Sequence, residues 1–100
     1  MSNYYEKNSK LIKSIADPRR LEIIDILSKG EKCACDILDY FQFTQPTLSH
    51  HMKILISSGL VESKRIGKCQ YYRLNTNNAN KLILFLLKLT TDIEEENIDK

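Results

Sequence analysis

The sequence predicts a mainly helical domain carrying one small β-hairpin. Two observations predict it. Apolar residues recur at helical spacing in several separate runs, and over residues 61–74 the spacing switches to two before turning helical again beyond Asn75. At 100 residues, with 42% apolar and 28% charged side chains, the chain has the makings of one globular domain, not of a disordered or collagen-like chain. A domain this small buries only about two-thirds of the surface its unfolded chain exposes, so a partner subunit is expected to cover part of it.

The first helix, about Tyr4 to Ile15, repeats apolar residues loosely as Tyr4, Leu11, Ile12 and Ile15. Asp17-Pro18 opens the second: aspartate accepts orphan backbone N–H groups, and proline at the first helical position gives up no bonded donor. Leu21, Ile24 and Leu27 are expected on its inner face, with Gly30 as its left-handed cap. A short third helix, about Ala34 to Tyr40, offers Ile37, Leu38 and Phe41 as its apolar side. Thr44 then caps a fourth helix, about Gln45 to Ser58, which ends at Gly59, and Phe43 is placed to staple onto Leu48. At 100° per residue, Leu48, Met52, Leu55 and Ile56 fall inward. His50 and Lys53 point away, Ser49 lies on the flank, and Gln45 and Thr47 stand in the opening turn.

Val61 to Ile66 and Cys69 to Leu74 read as two strands joined at Gly67-Lys68, where glycine supplies the positive φ of a tight turn. A last helix, about Asn77 to Ile93, is apolar nearly all round through Leu82-Ile83-Leu84-Phe85-Leu86-Leu87, which implies burial on more than one side. Two short helices a few residues apart, the second with polar side chains outward, form a helix-turn-helix. A basic hairpin after it completes a winged helix, in the order α-α-α-α-β-β-α. Residues 1–100 are thus one domain, with the helix-turn-helix at about 34–58, the wing at about 61–74 and an acidic tail at about 92–100.

The net charge of +2 hides a segregation. Residues 45–75 hold five basic side chains against one acidic, and residues 91–100 hold five acidic against one basic. A basic middle beside outward polar groups points to a polyanion, and double-stranded DNA fits the helix-turn-helix. The bland alternative is a charge scatter that only solubilises. A homodimer built on the first and last helices would present two recognition helices about 34–36 Å apart, so the operator is expected to be an imperfect inverted repeat. Three cysteines are too few, and odd in number, for a secreted disulfide framework, which favours a cytoplasmic setting. Neither a signal peptide nor a membrane span is expected, since the longest apolar run, Leu82 to Leu87, is six residues.

The residues also resemble a family. Glu31-Lys32-Cys33-Ala34-Cys35-Asp36-Ile37-Leu38 resembles the E-L-C-x-C-D-L signature of the ArsR/SmtB family of metal-responsive winged-helix repressors, nearest its arsenic-sensing branch. Gln45-Pro46-Thr47-Leu48-Ser49-His50-His51-Met52-Lys53 is similar to that family's recognition helix. Ala16-Asp17-Pro18-Arg19-Arg20-Leu21 is similar to its second-helix opening, and Gly67-Lys68 with Tyr71-Tyr72-Arg73-Leu74 to its wing. The resemblance runs from about Leu11 to Leu74 and implies that Gln45, Thr47, Ser49 and His50 touch bases or nearby phosphates. Their chemistry agrees: glutamine bridges adenine N6 and N7, serine addresses several bases, and Lys53 suits phosphate, as do Lys64, Arg65 and Lys68 of the wing. His50 and His51 diverge by about 100° on a helix and cannot share an ion.

Within that resemblance Cys33 and Cys35 are the expected ligands of a thiophilic inducer, arsenite or antimonite, and no cofactor is expected. A helix N-terminus is expected to lower their thiol pKa. Residues two apart on a helix differ by about 200°, so both sulfurs can meet one ion only if the start of the third helix unwinds. The family's arsenic sensors often carry a further cysteine where this chain has Leu38. Its cadmium and lead sensors add N-terminal cysteines, where this chain has Tyr4 and Tyr5, and its zinc sensors use histidine on a last helix that here has none. A trivalent arsenic or antimony species needs fewer sulfurs than a four-coordinate zinc or cadmium site. Cys69 is the remaining third-ligand candidate, but beside the wing turn it is expected far from the third helix and structural. The alternatives are two partly buried structural thiols, or a repressor in which Cys33 and Cys35 oxidise instead of binding metalloid. A winged helix that only binds other proteins, without DNA affinity, is a further class. An enzyme is disfavoured, because no glycine-rich phosphate loop appears and a winged helix of this size leaves little room for a substrate cleft.

Overall fold

The computed structural model describes residues 2–91, in the order α1 (Ser2–Ile15), α2 (Pro18–Leu27), β1 (Lys32–Cys33), α3 (Ala34–Leu38), α4 (Gln45–Ser58), β2 (Val61–Ile66), β3 (Cys69–Leu74) and α5 (Thr76–Thr90). The acidic tail at 92–100, and Ile93 as the expected end of the last helix, lie outside the described residues. This is the winged helix that the order of elements predicts, with one strand more.

Asp17 caps α2 as expected, its carboxylate accepting the N–H groups of Arg19 and Arg20 at 2.8 and 3.3 Å. The inner face of α2 is Ile23, Ile26 and Leu27, and Leu21 is exposed. Ile23 and Leu27 stand one turn apart, and Leu21 lies about 200° from Ile23, so both cannot reach the same core. Gly30 has the expected positive φ of 131° but sits beyond the cap, which is Ser28. α3 stops at Leu38 rather than Tyr40; Tyr40 and Phe41 continue as turns bonded to Ile37 and Leu38. α4 ends at Gly59 with φ of 92°, the left-handed cap its sequence calls for. Its buried side is Leu48, His51, Met52 and Leu55, whereas Ile56 is exposed. The inner arc therefore takes in His51, one turn after Leu48, and leaves out Ile56, two turns after it.

The sheet has strand order β1-β3-β2. β2 and β3 pair from Val61 with Leu74 to Ile66 with Cys69, leaving Gly67 and Lys68 as a two-residue turn. Positive φ at Gly67 alone matches a type II′ hairpin. β1 adds two pairs, Lys32 with Tyr72 and Cys33 with Tyr71. Side chains alternate across a strand, so Tyr72 and Val61 enter the core while Cys33, Tyr71, Cys69 and Lys64 share the opposite, outer face.

The main core joins Ile23, Leu27, Ile37, Leu48, Met52, Leu55, Val61 and Tyr72, with Phe41 and Phe43 packed against it. A second, smaller core joins Leu11, Leu60, Leu82 and Phe85, fastening α1 and α5 to the end of α4. Asn78 of α5 donates to the carbonyl of Gly59 at 2.8 Å and holds the two helices in register. α5 buries only Leu82 and Phe85, and Ile83, Leu84, Leu86, Leu87 and Leu89 remain exposed. In the single chain this apolar surface faces water.

Candidate nucleic-acid interface and thiol centre

α4 is the element that a helix-turn-helix offers to DNA. Its core-facing arc through Leu48, His51, Met52 and Leu55 fixes what points outward: Gln45, Ser49, His50 and Lys53 are exposed. Thr47 is half-buried, with its hydroxyl 3.3 Å from that of Thr44, so it turns partly back toward the cap. In the wing, alternation sends Lys64 and Arg65 to opposite faces. The Lys64 ammonium lies 3.5 Å from the Glu31 carboxylate, and Arg65 donates to the side-chain carbonyl of Gln70 at 3.0 Å. Lys68 stands exposed in the turn.

The basic surface reaches further than the sequence reading placed it. Lys10 and Lys13 of α1 line a groove with Arg20 and Lys53. These lysines belong to a helix read for its apolar stripe. Their three-residue spacing, which puts both on one face, was the signal that could have found them.

Arg20 is the tie between α1, α2 and α4. It donates from Nε to the carbonyl of Ser14 at 2.6 Å and from its terminal nitrogen to Nδ1 of His51 at 3.1 Å. Guanidinium has no acceptor, so Nδ1 must carry the lone pair, and His51 is neutral. Burial pushes the His51 pKa down; Asp17 opposes this, while Arg20, His50 and Arg19 add to it.

Cys33 is the cap of α3: its Sγ accepts the Asp36 N–H at 3.4 Å. That N–H favours the thiolate, but the Asp36 side chain, desolvation and Cys35 outweigh it, and the Cys33 pKa is raised. The expected lowering by the helix end is therefore reversed at Cys33, because an acidic side chain stands in the same first turn. Cys35 is exposed, Cys33 and Cys69 are half-buried, and all three are free thiols.

Cys69 does sit beside the wing turn, but not far from α3. β1 was not legible in the sequence, and it brings Cys33 directly opposite Tyr71, two residues along β3 from Cys69. The phenol of Tyr71 registers the grouping: its pKa is raised first by Cys69, then by desolvation, Cys33, Asp36 and Glu31. Among the described residues no three cysteine, histidine or acidic side chains converge closely enough to hold a metal ion in this conformation. No helix among them is long and apolar enough to cross a membrane.

Comparison with known proteins agrees with this geometry. Residues 17–63 match the family model described as bacterial regulatory protein, arsR family. Over 71 residues the chain is 54% identical to the arsenical resistance operon repressor of Staphylococcus xylosus, an alignment covering 71% of this chain and 68% of that one. It is 36% identical over 83 residues to the arsenical resistance operon repressor of Bacillus subtilis, covering 82% of this chain and 79% of that one. A solution structure of a homodimeric winged helix-turn-helix DNA-binding domain from Mycobacterium bovis, described as a possible ArsR-family transcriptional regulator, superposes with a TM-score of 0.74 at 30% identity. That superposition covers 88% of this chain and 82% of the other. The chain therefore belongs to the ArsR family of bacterial regulatory proteins, winged-helix transcriptional repressors that bind DNA and are not enzymes.

Proposed function

We propose that this protein is a homodimeric repressor that trivalent arsenic or antimony releases from an inverted-repeat operator by binding Cys33 and Cys35. One observation carries the reading: the thiol that would bind the inducer is also the cap of the helix that supports α4. Drawing Cys33 onto an ion takes the acceptor from the Asp36 N–H, and Cys35, about 200° around α3, can join only if that turn opens. α3 has five residues, too few to hold itself together without its cap and its packing through Ala34 and Ile37. The inducer thus favours an opened α3 and DNA the closed one. A 100-fold preference for free over bound repressor would weaken operator binding by about 2.7 kcal/mol, within the usual range of coupling.

On DNA, Gln45, Thr47, Ser49 and His50 meet bases or nearby phosphates, and Lys53 and Lys68 meet phosphates, as do Lys64 and Arg65 from the two faces of the wing. The names of the arsenical-resistance relatives support arsenic as the inducer class. The test is a fluorescence-anisotropy titration of the repressor–operator complex with arsenite, antimonite, cadmium, zinc and peroxide. Arsenite and antimonite should release the duplex, while Cys33→Ser and Cys35→Ser should each bind it normally and retain it. Release by peroxide alone would turn the pair into a redox switch, and release of both serine variants by arsenite would end the reading.

A further inference from the structure

We infer that Cys69 is the third sulfur of the inducer site, reached when β1 lengthens by two residues at the expense of the first turn of α3. This rests on the proposed release by metalloid and names the ligand set of that same site. β1 pairs Lys32 with Tyr72 and Cys33 with Tyr71 and ends where α3 begins, at Ala34. Two more steps of the same antiparallel ladder set Ala34 opposite Gln70 and Cys35 opposite Cys69.

That extension removes the obstacle the helix creates. Residues two apart point to opposite sides of a helix but to one face of a strand. In a lengthened β1, Cys33 and Cys35 both face outward, on the face that already carries Cys69 and Tyr71. Directly opposed residues in an antiparallel pair have Cα atoms about 4.5–5.5 Å apart, and diagonal ones about 7–8 Å. Three thiols on that spacing surround one trigonal centre. Of the two residues that join the strand, Cys35 is exposed and Ala34 is the one buried side chain, the smallest in the core and so the least costly to move.

The chemistry balances without a co-reactant. Arsenous acid exchanges its three hydroxyls for three thiols: three As–O bonds break, three As–S bonds form, and three waters carry away the thiol protons. Arsenic stays trivalent throughout. Because Cys69 directly follows the wing turn, the bound ion would pin the wing to the unwound start of α3, so one event disturbs both DNA-contacting parts.

Arsenic-edge X-ray absorption on the full chain loaded with arsenite tests this. The parent should show three sulfur neighbours, and Cys69→Ser two sulfurs and one oxygen. In the operator-release titration, Cys69→Ser should need about tenfold more arsenite than the parent, yet respond unchanged to phenylarsine oxide, which takes only two thiols. Two sulfurs in the parent, or three retained in Cys69→Ser, would overturn the inference while leaving Cys33 and Cys35 as the inducer pair. Arsenite binding undiminished in Cys33→Ser and Cys35→Ser would instead overturn the proposed release itself.

Discussion

Arg20 of α2 donates to Nδ1 of His51 on the buried side of α4, at 3.1 Å. The bond exists only while the imidazole is neutral, so the seat of the recognition helix depends on one proton. His51 is packed against the Phe43 ring and faced by Asp17, Arg19 and Arg20 from α2 and by His50 from its own helix.

The pH dependence follows. His51 has a pKa below the ordinary imidazole value of about 6.5, so between those two values the unfolded chain binds more protons than the folded one. Stability from this group is complete above about pH 6.5 and falls as pH drops through the folded-state value. Denaturation midpoints should decline from pH 7 to pH 5, and His51→Gln should flatten that limb. An unchanged slope in the variant would assign the loss to other groups.

The second prediction concerns assembly. Ile83 and Leu87 stand on one exposed stripe of α5, turned away from Leu82 and Phe85, and Tyr4 and Tyr5 pack edge-on against Phe85 beside it. An apolar surface of this kind marks an interface. Ile83→Glu with Leu87→Glu should sediment as monomer and lose about 10²–10⁴ in operator affinity, the avidity of two linked half-sites. A double variant that remains dimeric would place the interface elsewhere.

Helix ends and wing were legible because each has a local signal: Asp17-Pro18, Pro46 in the first turn of α4, Gly59, and Gly67 between alternating runs; Thr44 takes the expected position before α4, but its hydroxyl caps no backbone N–H. β1 was not, since two residues cannot display a period, and Lys32–Cys33 is a strand only because β3 lies beside it. That one omission displaced Cys69 from its neighbours. His51 was equally hidden. Its polarity reads outward, and only Arg20, 31 positions upstream, supplies the partner that lets it be buried. Whether thiols converge is a matter of register between distant segments, which spacing along the chain does not encode.

The third prediction divides labour on DNA. Gln45→Ala, Ser49→Ala and His50→Ala should change which sequence is preferred, at about 1–3 kcal/mol per good base contact. Lys53→Ala, Arg65→Ala and Lys68→Ala should weaken all duplexes alike and lower the salt slope by about one each. Lys64 is paired with Glu31, so Lys64→Ala should cost less than Lys68→Ala, and Glu31→Gln should strengthen binding. Lys10→Ala with Lys13→Ala tests whether the groove beside Lys53 also meets phosphate; an unchanged salt slope would confine the interface to α4 and the wing.

The last prediction separates the two jobs of Cys33. As cap of α3 its sulfur holds the Asp36 N–H; as ligand it holds the inducer. Serine is a better cap than cysteine and a poor ligand for a soft ion, whereas alanine is neither. Cys33→Ser should therefore keep α3 closed and act as a repressor that arsenite cannot release. Cys33→Ala should lose about 0.5–2 kcal/mol of stability and bind operator more weakly with no inducer present, a partial mimic of the induced state. The Ala variant's operator affinity decides the matter. If it equals that of the Ser variant while the loss of stability is measurable, the cap of α3 is not what couples the thiols to α4, and release has to run through the wing.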